Sequence, residues 1–225
     1  MPSADRKKSA RLLSSYCNRL YSQGLVGSME GNLSLKLSPD TILITPTGIN
    51  KASVSGSDII EISADGKTLS GKHRPSTEYR LHLAIYKIRP DIRAICHAHP
   101  IYATSFAVAG KPLDKVILPE VAAAIGLIPV SEFGIPGSGD LAIKVARLAK
   151  DFNSVLIRNH GVVTVGDSLE QAFNRMELTE RYAQIYFLAT IIGDAAAWPK
   201  KILKLLAGFD TISKQTAKLK SKRGN

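Results

Sequence analysis

The sequence predicts an α/β sandwich built around a mostly antiparallel β-sheet. Strand-like and helix-like segments are mixed along the chain without the regular alternation of βαβ units. The 225 residues are 44% hydrophobic, which is an ordinary globular composition. No low-complexity stretch and no Pro/Gly/Ser-rich linker divides the chain. We therefore expect a single domain over residues 1–225, with a basic tail at 211–225 that frays.

The first half is predicted to contain two helices with short strands between them. Apolar residues near helical spacing indicate a helix at 6–22, which Gly24 ends. The second helix starts near Ser76, in the sequence Pro-Ser-Thr-Glu, and ends before Pro90. Turn sequences separate three strand-like segments, at 33–37, 41–45 and 59–62.

The second half alternates short strands with helices of increasing length. Its strands are predicted at 92–99, 154–158 and 162–165, and its helices at 102–109, within 116–135, at 141–148 and at 168–192. A last helix is predicted to open at Pro199 and to end at Gly208. This order of elements is the basis of the mixed α/β prediction.

The net charge of +11 belongs to the two ends of the chain. Residues 1–11 carry a surplus of three positive charges and residues 200–225 a surplus of seven, which leaves +1 for everything between. A terminal basic run is typical of a solvated tail, so we do not expect a nucleic-acid partner.

Cysteine count and hydropathy exclude two further classes. Two cysteines, Cys17 and Cys96, cannot form a disulfide framework or a Cys-rich zinc module. The N-terminal residues contain no apolar signal region, and no stretch approaches the ~18 consecutive apolar residues of a membrane span. The sequence therefore predicts a soluble cytoplasmic protein with no membrane partner.

The histidines indicate a metal site. Because side chains alternate along a strand, His97 and His99 share one face while Cys96 points to the other. His160 follows a predicted strand at a sharp turn, next to Gly161, from which a side chain can project into a cleft. Three imidazoles suit Zn²⁺.

A carboxylate is a candidate fourth ligand. Glu78 lies in the first turn of its predicted helix and can yield its place to a substrate. Glu78 and His82, at i and i+4, are an alternative pair that could bind a metal by themselves. We rank His82 lower because His97, His99 and His160 already supply ligands from separate segments.

Three turns predict an anion site without a lysine. Gly31-Asn32-Leu33-Ser34, Thr45-Pro46-Thr47-Gly48 and Ser76-Thr77 each offer hydroxyls or backbone N–H groups at a turn or a helix start. Each is also ordinary turn or capping chemistry when taken alone. Because Ser76-Thr77 adjoins Glu78, phosphate donors and a metal ligand are predicted to share one pocket wall.

Taken together, these motifs resemble the class II aldolase/adducin family. The resemblance runs from about residue 8 to residue 195 and rests on the order and spacing of six motifs. These are Gly31-Asn32, LITPTG at 43–48, Pro75-Ser76-Thr77-Glu78 with His82 and Tyr86 after it, Arg89-Pro90-Asp91, His97-Ala98-His99-Pro100 and Asn159-His160-Gly161.

The resemblance implies a three-layer α/β/α sandwich and a metal-dependent site. It implies one Zn²⁺, or another divalent metal, per subunit on His97, His99 and His160, with Glu78 as ligand and acid/base. It implies a phosphate site formed by Gly31, Asn32, Thr47, Gly48, Ser76 and Thr77. It also implies a homotetramer with active sites at subunit interfaces.

The sequence departs from the aldolases of this family at three places. Met29 stands where they have a threonine three residues before the Asn of the Gly-Asn pair, and their C-terminal tyrosine has no match after Phe209. Their tyrosine from a neighbouring subunit has no counterpart here, because the matching segment reads VILPEVAAAIG over residues 116–126. Glu120 follows the matching position by one residue, and we predict that it acts as the second acid/base. The alternative role for Glu120 is a helix N-terminal charge after Pro119.

The predicted activity is that of a zinc-dependent aldehyde-lyase in carbohydrate metabolism. Its substrate would be a phosphorylated ketose of the L-fuculose 1-phosphate type, cleaved to dihydroxyacetone phosphate and an aldehyde. The residues fit such chemistry, because an enediolate needs a Lewis acid and no Schiff-base lysine stands out. The alternatives are an epimerase, dehydratase or decarboxylase on the same metal site, and a non-catalytic adducin-like binding module.

Overall fold

The computed structural model of the chain describes residues 3–205 and 209–223. Its strands are β1 (Asn32–Ser38), β2 (Thr41–Ile44), β3 (Ile60–Ser63), β4 (Thr68–Ser70), β5 (Ala94–Ala98), β6 (Ser154–Ile157) and β7 (Gly161–Gly166). Its helices are α1 (Ser3–Ser22), α2 (Tyr79–Ile88), α3 (Ile101–Ala109), α4 (Pro119–Ala124), α5 (Gly139–Ala149), α6 (Leu169–Ile192), α7 (Lys200–Leu203) and α8 (Phe209–Arg223).

The seven strands form one sheet in the order β4-β3-β2-β1-β5-β7-β6. Every pair of neighbouring strands in it is antiparallel. Consecutive strands β1 to β4 form a meander, and β5 joins this meander to the hairpin of β6 and β7. The predicted mixed fold with an antiparallel sheet is therefore confirmed.

Helices cover both faces of the sheet, which gives the three layers. One core cluster joins the sheet to α1, α3 and α6, through side chains such as Leu13, Ala103 and Phe173. The other joins the opposite face to α2 and α5, through side chains such as Leu81 and Val145. Each layer buries an apolar face that neither the sheet nor the helices could bury alone.

Strand β5 lies at the centre of the sheet, and its side chains divide between the two layers. Ala94, Cys96 and Ala98 belong to the cluster under α1 and α6, whereas Ile95 belongs to the cluster under α2. His97 has the same parity as Ile95 and contacts Glu78 on the α2 side. The predicted alternation of Cys96 and His97 is thus confirmed, and both cysteines are free and buried.

The main differences from the predicted elements lie in short or terminal segments. Strand β4 has three exposed residues and no apolar alternation, so the sequence did not indicate it. The last predicted helix is shorter, because α7 ends at Leu203; its predicted end, Gly208, lies outside the described residues.

The C-terminal region differs from the predicted frayed tail. Helix α8 runs through it to Arg223. Ile212 joins the α2-side core, and Gln215 is 2% exposed, with its amide bonded to the backbone of Leu127 and Asp151. Lys214, Lys218 and Lys220 lie on the exposed side of this packed helix, a pairing of faces that charge counting cannot reveal.

Within residues 3–205 and 209–223, no helix is both long and apolar enough to cross a membrane. The longest, α6, has 24 residues and carries five charged side chains, all between Glu170 and Arg181.

Candidate metal centre and anion site

The structure brings His97, His99 and His160 together at the edge where β5 and β7 meet the α2 layer. One ligand atom from each ring lies within 4.8 Å of the other two. The ring centroids are 4.8–4.9 Å apart and the rings stand edge to face. Such a convergence of imidazole nitrogens is the geometry that a bound divalent metal requires.

Strand pairing explains how His99 and His160, which are more than 60 positions apart in the sequence, come to lie side by side. Ala98 pairs with Val162 across β5 and β7, so His99 and His160 lie just beyond the paired ends of the two strands. Asn159 has a left-handed backbone, with φ of 55°, which turns the chain sharply before His160. A Cβ at Gly161 would lie 2.5 Å from Cδ2 of His99, so only glycine allows the two rings to approach.

Glu78 is the carboxylate of this cluster. It is buried and lies just before α2, with Oε2 3.1 Å from Nε2 of His97 and Oε1 3.4 Å from Nε2 of His160. The Nδ2 amide of Asn32 donates a hydrogen bond of 2.9 Å to Oε2. The sequence analysis predicted that Glu78 and the histidines share a site, and the structure places them in contact.

Burial and mutual charge set the protonation of the cluster. Burial lowers the pKa of His99 to about 3 and of His160 to about 4, with the His97 charge acting in the same direction. Burial also acts to lower the pKa of His97, but the adjacent Glu78 carboxylate outweighs it and raises that pKa. Burial acts to raise the pKa of Glu78, yet the nearby His97 and His160 hold it well below its usual range. Glu78 is therefore an anion at neutral pH.

The donor set fits a divalent metal. His97 directs Nδ1 to the carbonyl oxygen of Val162 at 2.8 Å, which leaves Nε2 as the coordinating atom. Oε1 of Glu78 and Nδ1 of His160 are buried and have no hydrogen-bond partner among the described residues. Nε2 of His160 faces Glu78, so a cation held by three imidazoles and one carboxylate would satisfy the unpaired oxygen of Glu78.

His82, the alternative metal ligand, is engaged elsewhere. Its Nε2 lies 2.6 Å from Oδ1 of Asn32, and its Nδ1 lies 2.6 Å from Oγ of Ser34. Oγ of Ser34 in turn lies 2.7 Å from the hydroxyl of Tyr86. Glu78 and His82 therefore do not form a metal-binding pair. His82 belongs instead to a buried chain of hydrogen-bonded polar side chains behind Glu78.

The three turns predicted to bind an anion lie side by side. Pro46 and Pro75 form an antiparallel bridge, and the backbone N–H of Ser76 donates to the carbonyl of Thr45 at 3.0 Å. Thr47 and Gly48 are exposed, as is Thr77, whereas Ser76 is 6% exposed and its Oγ accepts from the N–H of Glu78 at 3.3 Å. Gly31 precedes β1 with φ of +73° and approaches the carbonyl of His97.

Two charged residues of this region were missed by the sequence analysis. Lys51 is fully buried and its Nζ donates to the carbonyl oxygens of Met29 and Ile49, both at 3.1 Å. It joins the turn before Asn32 to the turn after Gly48. No sequence signal marks this lysine, because its two acceptors are backbone atoms.

Glu30 is the second missed residue. Its Oε2 lies 3.4 Å from Nδ1 of His99, and its other oxygen accepts from the N–H of Gly27. A carboxylate on the outer nitrogen of an imidazole orients that ring for metal binding. Its place beside Gly31-Asn32 is the signal that could have identified it.

Glu120 stands apart from this cluster in the single chain. It is exposed in the first turn of α4, a helix that packs against α6 and α8. Pro119 opens that helix, as the alternative reading of Glu120 as an N-terminal charge requires. The exposed carboxylate of Glu120 is thus outside the group formed by His97, His99, His160 and Glu78 in the single chain.

Comparison with known proteins agrees with the fold. Residues 11–187 match the model of the class II aldolase and adducin N-terminal domain. The chain is 35% identical to the 3-oxo-tetronate 4-phosphate decarboxylase of Escherichia coli K12 over 193 residues, covering 84% of this chain and 87% of that one. It is 32% identical to the L-fuculose phosphate aldolase of the same strain over 190 residues, with the same coverage. Among solved structures, an L-fuculose 1-phosphate aldolase superposes with a TM-score of 0.84 at 33% identity, covering 92% of this chain and 96% of that one.

Proposed function

The chain belongs to the class II aldolase and adducin family, and from this premise we propose that it is a zinc-dependent lyase of short sugar phosphates. Its leading reaction is the cleavage of a phosphorylated ketose, of the L-fuculose 1-phosphate type, to dihydroxyacetone phosphate and an aldehyde. Another divalent metal could replace zinc in the same donor set.

One observation carries the proposal. Glu78 contacts His97 and His160 with its carboxylate, while its own backbone N–H donates to Ser76 in the adjoining turn. A substrate whose phosphate is held by the turns at 31–32, 47–48 and 76–77 would thus carry its ketone toward the histidines. Remote binding of the phosphate would orient the short carbon chain for reaction.

In this proposal His97, His99, His160 and Glu78 hold the metal. When bound, the ion supplies a Lewis acid for the negative charge that develops on the ketone oxygen and the neighbouring hydroxyl oxygen. His99 and His160, whose pKa values burial lowers, stay neutral and present nitrogen lone pairs, while Glu30 orients His99 from behind. Glu78 is the ligand that a substrate would displace, after which its carboxylate is free to carry a proton.

The proton balance assigns two acid/base roles. Cleavage breaks the C–C bond between the carbon next to the ketone and the carbon that becomes the aldehyde, and the bonding electrons pass toward the ketone to give an enediolate. A base takes the proton of the hydroxyl that becomes the aldehyde, and we assign this role to Glu120 from a neighbouring subunit. Glu78, which takes up a proton from water once the substrate has displaced it, delivers that proton to the enediolate carbon to complete dihydroxyacetone phosphate, and Glu120 returns its proton to water.

Decarboxylation of 3-oxo-tetronate 4-phosphate is the second candidate. It is favoured by the 35% identical relative of that name and by the missing tyrosine in residues 116–126. Loss of CO₂ next to the ketone leaves the same enediolate, so the metal, the phosphate turns and Glu78 would serve both reactions. Only the leaving group differs, because CO₂ departs without a hydroxyl proton to remove.

A homotetramer would complete the site, since the assignment of Glu120 needs a neighbouring subunit. Exposed apolar side chains support assembly: Ile101 at the start of α3, and Phe187, Ile191 and Ile192 near the end of α6, are 44–87% exposed. Large exposed apolar residues in one region are typical of protein interfaces. We place the enzyme in the cytoplasm, where sugar phosphates are metabolised.

A two-substrate assay tests the proposal. Purified protein with added Zn²⁺ is given L-fuculose 1-phosphate or 3-oxo-tetronate 4-phosphate, and dihydroxyacetone phosphate is measured together with aldehyde or CO₂. Metal-chelated protein and the Glu78→Gln variant are the controls, and free L-fuculose tests the need for phosphate. If neither substrate gives dihydroxyacetone phosphate with zinc or another divalent metal, the proposed lyase activity is wrong.

A further inference from the structure

Behind the metal centre lies a chain of four buried polar side chains that the proposed reaction does not yet use. It runs from Glu78 through Asn32, His82 and Ser34 to Tyr86, with successive contacts of 2.9, 2.6, 2.6 and 2.7 Å. Asn32, Ser34, His82 and Tyr86 are all 6% exposed or less. Such fully connected networks hold their members in one arrangement.

The order of protons along this chain follows from its first member. The Glu78 carboxylate can only accept, so Asn32 must present Nδ2 to it and Oδ1 to His82. His82 must then carry its proton on Nε2 in order to donate to Oδ1. Burial lowers the pKa of His82 to about 3, so the ring is neutral and its Nδ1 is an acceptor.

The far end of the chain completes the assignment. Because Nδ1 of His82 accepts, the hydroxyl of Ser34 donates to it, and Oγ of Ser34 is left to accept from Tyr86. The Tyr86 hydroxyl has a single proton, so in this order it donates to Ser34 at 2.7 Å and not to the carbonyl oxygen of Arg93, which lies farther away at 3.2 Å and already accepts from the N–H of Lys36. Every link has one donor and one acceptor, so the Asn32 amide has a single satisfied orientation.

We propose that His82 is a positioning residue, which holds the Asn32 amide with its nitrogen toward Glu78 and thereby fixes that carboxylate in the site. The functional part of this inference rests on the proposed function, since it concerns the acid/base of that reaction. The structural part stands on the hydrogen bonds alone.

If the contact from His82 were lost, the amide could rotate. Asn32 would then present Oδ1 to Oε2 of Glu78, so that two acceptors face one another in a buried site. The carboxylate would turn away or lose its donor, and the step in which Glu78 moves a proton would slow. The three histidines would keep their own contacts, so three of the four proposed ligands would stay in place and the metal content at saturating Zn²⁺ would be retained.

Two substitutions at position 82 separate positioning from packing. A glutamine places an amide nitrogen near the site of Nε2, so His82→Gln keeps the donor to Asn32. An asparagine is shorter and reaches only the site of Nδ1, so His82→Asn keeps the contact with Ser34 and loses the donor. His73→Asn is the matched control, because the ring of His73 contacts Asp58 and is not a member of the chain from Glu78 to Tyr86.

The experiment measures kcat, KM, metal content and melting temperature for these variants. We expect His82→Asn to lower kcat about 10- to 100-fold, as removal of residues that orient metal ligands does, with a smaller change in KM. We expect His82→Gln and His73→Asn to stay within about threefold of wild type and all variants to keep the metal. Equal losses in His82→Asn and His82→Gln, or normal kcat in His82→Asn, would overturn the proposal.

A measurement on the metal-free wild-type protein needs no activity. A ¹⁵N–¹H spectrum of the histidine side chains reports which nitrogen of His82 carries the proton, and we expect Nε2. A proton on Nδ1 would contradict the assigned order of the chain even if the enzyme is active.

If His82→Asn does not fold, a second variant tests the same chain. Ser34→Ala removes the donor to Nδ1 of His82 and is expected to lower kcat, as His82→Asn would. An unchanged kcat in Ser34→Ala would count against the chain. Absence of all lyase activity, with the Nε2 proton present, would instead refute the proposed function.

Discussion

Nδ1 of His97 lies 2.8 Å from the carbonyl oxygen of Val162, across the pair formed by β5 and β7. Because a carbonyl only accepts, Nδ1 carries a proton and Nε2 faces His99 and Glu78. The sheet itself therefore selects the nitrogen that can coordinate a metal. A side chain held in this way loses little freedom when an ion binds.

Removal of one clustered histidine should remove the metal. We expect wild-type protein to carry about one divalent ion per chain, and His97→Ala and His160→Ala to lose both metal and activity. His82→Ala should keep the metal, since both of its ring nitrogens are bonded elsewhere. Elemental analysis after gel filtration measures the ion, and full metal retention in the first two variants would exclude the three-histidine centre.

Phosphate should stabilise the folded protein through the three turns. Inorganic phosphate at 100 times its Kd would add about 2.7 kcal/mol to the free energy of unfolding. Ser76→Ala and Thr47→Val should reduce the resulting rise in melting temperature, because each removes a hydroxyl from the turns. Thr68→Val, on the exposed strand β4, is the matched control. An undiminished rise in both site variants would contradict the anion site.

Lys51 should stabilise both the folded protein and the turns that are proposed to bind phosphate. Lys51→Met keeps the length of the side chain but leaves the carbonyls of Met29 and Ile49 without their donor. We expect a loss of about 1–3 kcal/mol in the free energy of unfolding for unsatisfied buried groups, and a weaker response to phosphate. Urea denaturation with and without phosphate measures both; if both are unchanged, the lysine does not join the two turns.

Glu120→Gln should lower kcat about 10²- to 10⁴-fold, the usual contribution of a general acid or base. The zinc content should not change, since Glu120 is exposed and lies on α4. Mixing Glu120→Gln with Glu78→Gln subunits tests whether the residue acts across an interface, because some mixed sites would contain both carboxylates. A Glu120→Gln enzyme with near-normal kcat would reduce this residue to a helix N-terminal charge.

Acid should destabilise the metal-free protein below pH 6.5. His82, His99 and His160 have folded-state pKa values lowered to about 3, 3 and 4 from 6.5, so the unfolded chain takes up these protons first. Their contribution to the free energy of unfolding is complete above pH 6.5 and is lost as the pH falls. The raised pKa of His97 has the opposite effect on this free energy.

Each such histidine adds a slope of at most about 1.4 kcal/mol per pH unit. His82→Gln should therefore flatten the dependence of the unfolding free energy on pH between pH 6.5 and 4, relative to wild type. Denaturant titrations across this range measure the slopes. Identical slopes would mean that His82 is not a buried neutral base.

Local patterns in the sequence predicted much of the fold and the histidine cluster. Alternation along β5 separated Cys96 from His97, and the turn at Asn159-Gly161 marked His160, because both signals lie within a few residues. Helix α2 starts at Tyr79, directly after the Pro-Ser-Thr-Glu sequence that was predicted to open it. These features need no knowledge of distant partners.

Contacts between distant segments could not be read in the same way. His82 and Asn32 are 50 positions apart, and Lys51 meets Met29 through backbone atoms that no residue type identifies. The packed helix α8 was hidden because its charges dominate its composition. The proposed role of Glu120 needs a neighbouring subunit, and contacts between subunits leave no local pattern in the sequence.

The position of Cys96 has a consequence for which ions the protein would take up. A thiolate is the softest ligand that proteins offer and would favour Cu(I). Cys96 adjoins His97 in sequence, yet it is fully buried against α1 and α6, and burial raises the pKa of its thiol. The alternation of side chains along β5 thus leaves only nitrogen and oxygen donors at the proposed metal centre. A shift of β5 by one residue would place the Cys96 sulfur there instead of the His97 imidazole. The register of β5 in the sheet would therefore disfavour soft metals such as Cu(I) at this site.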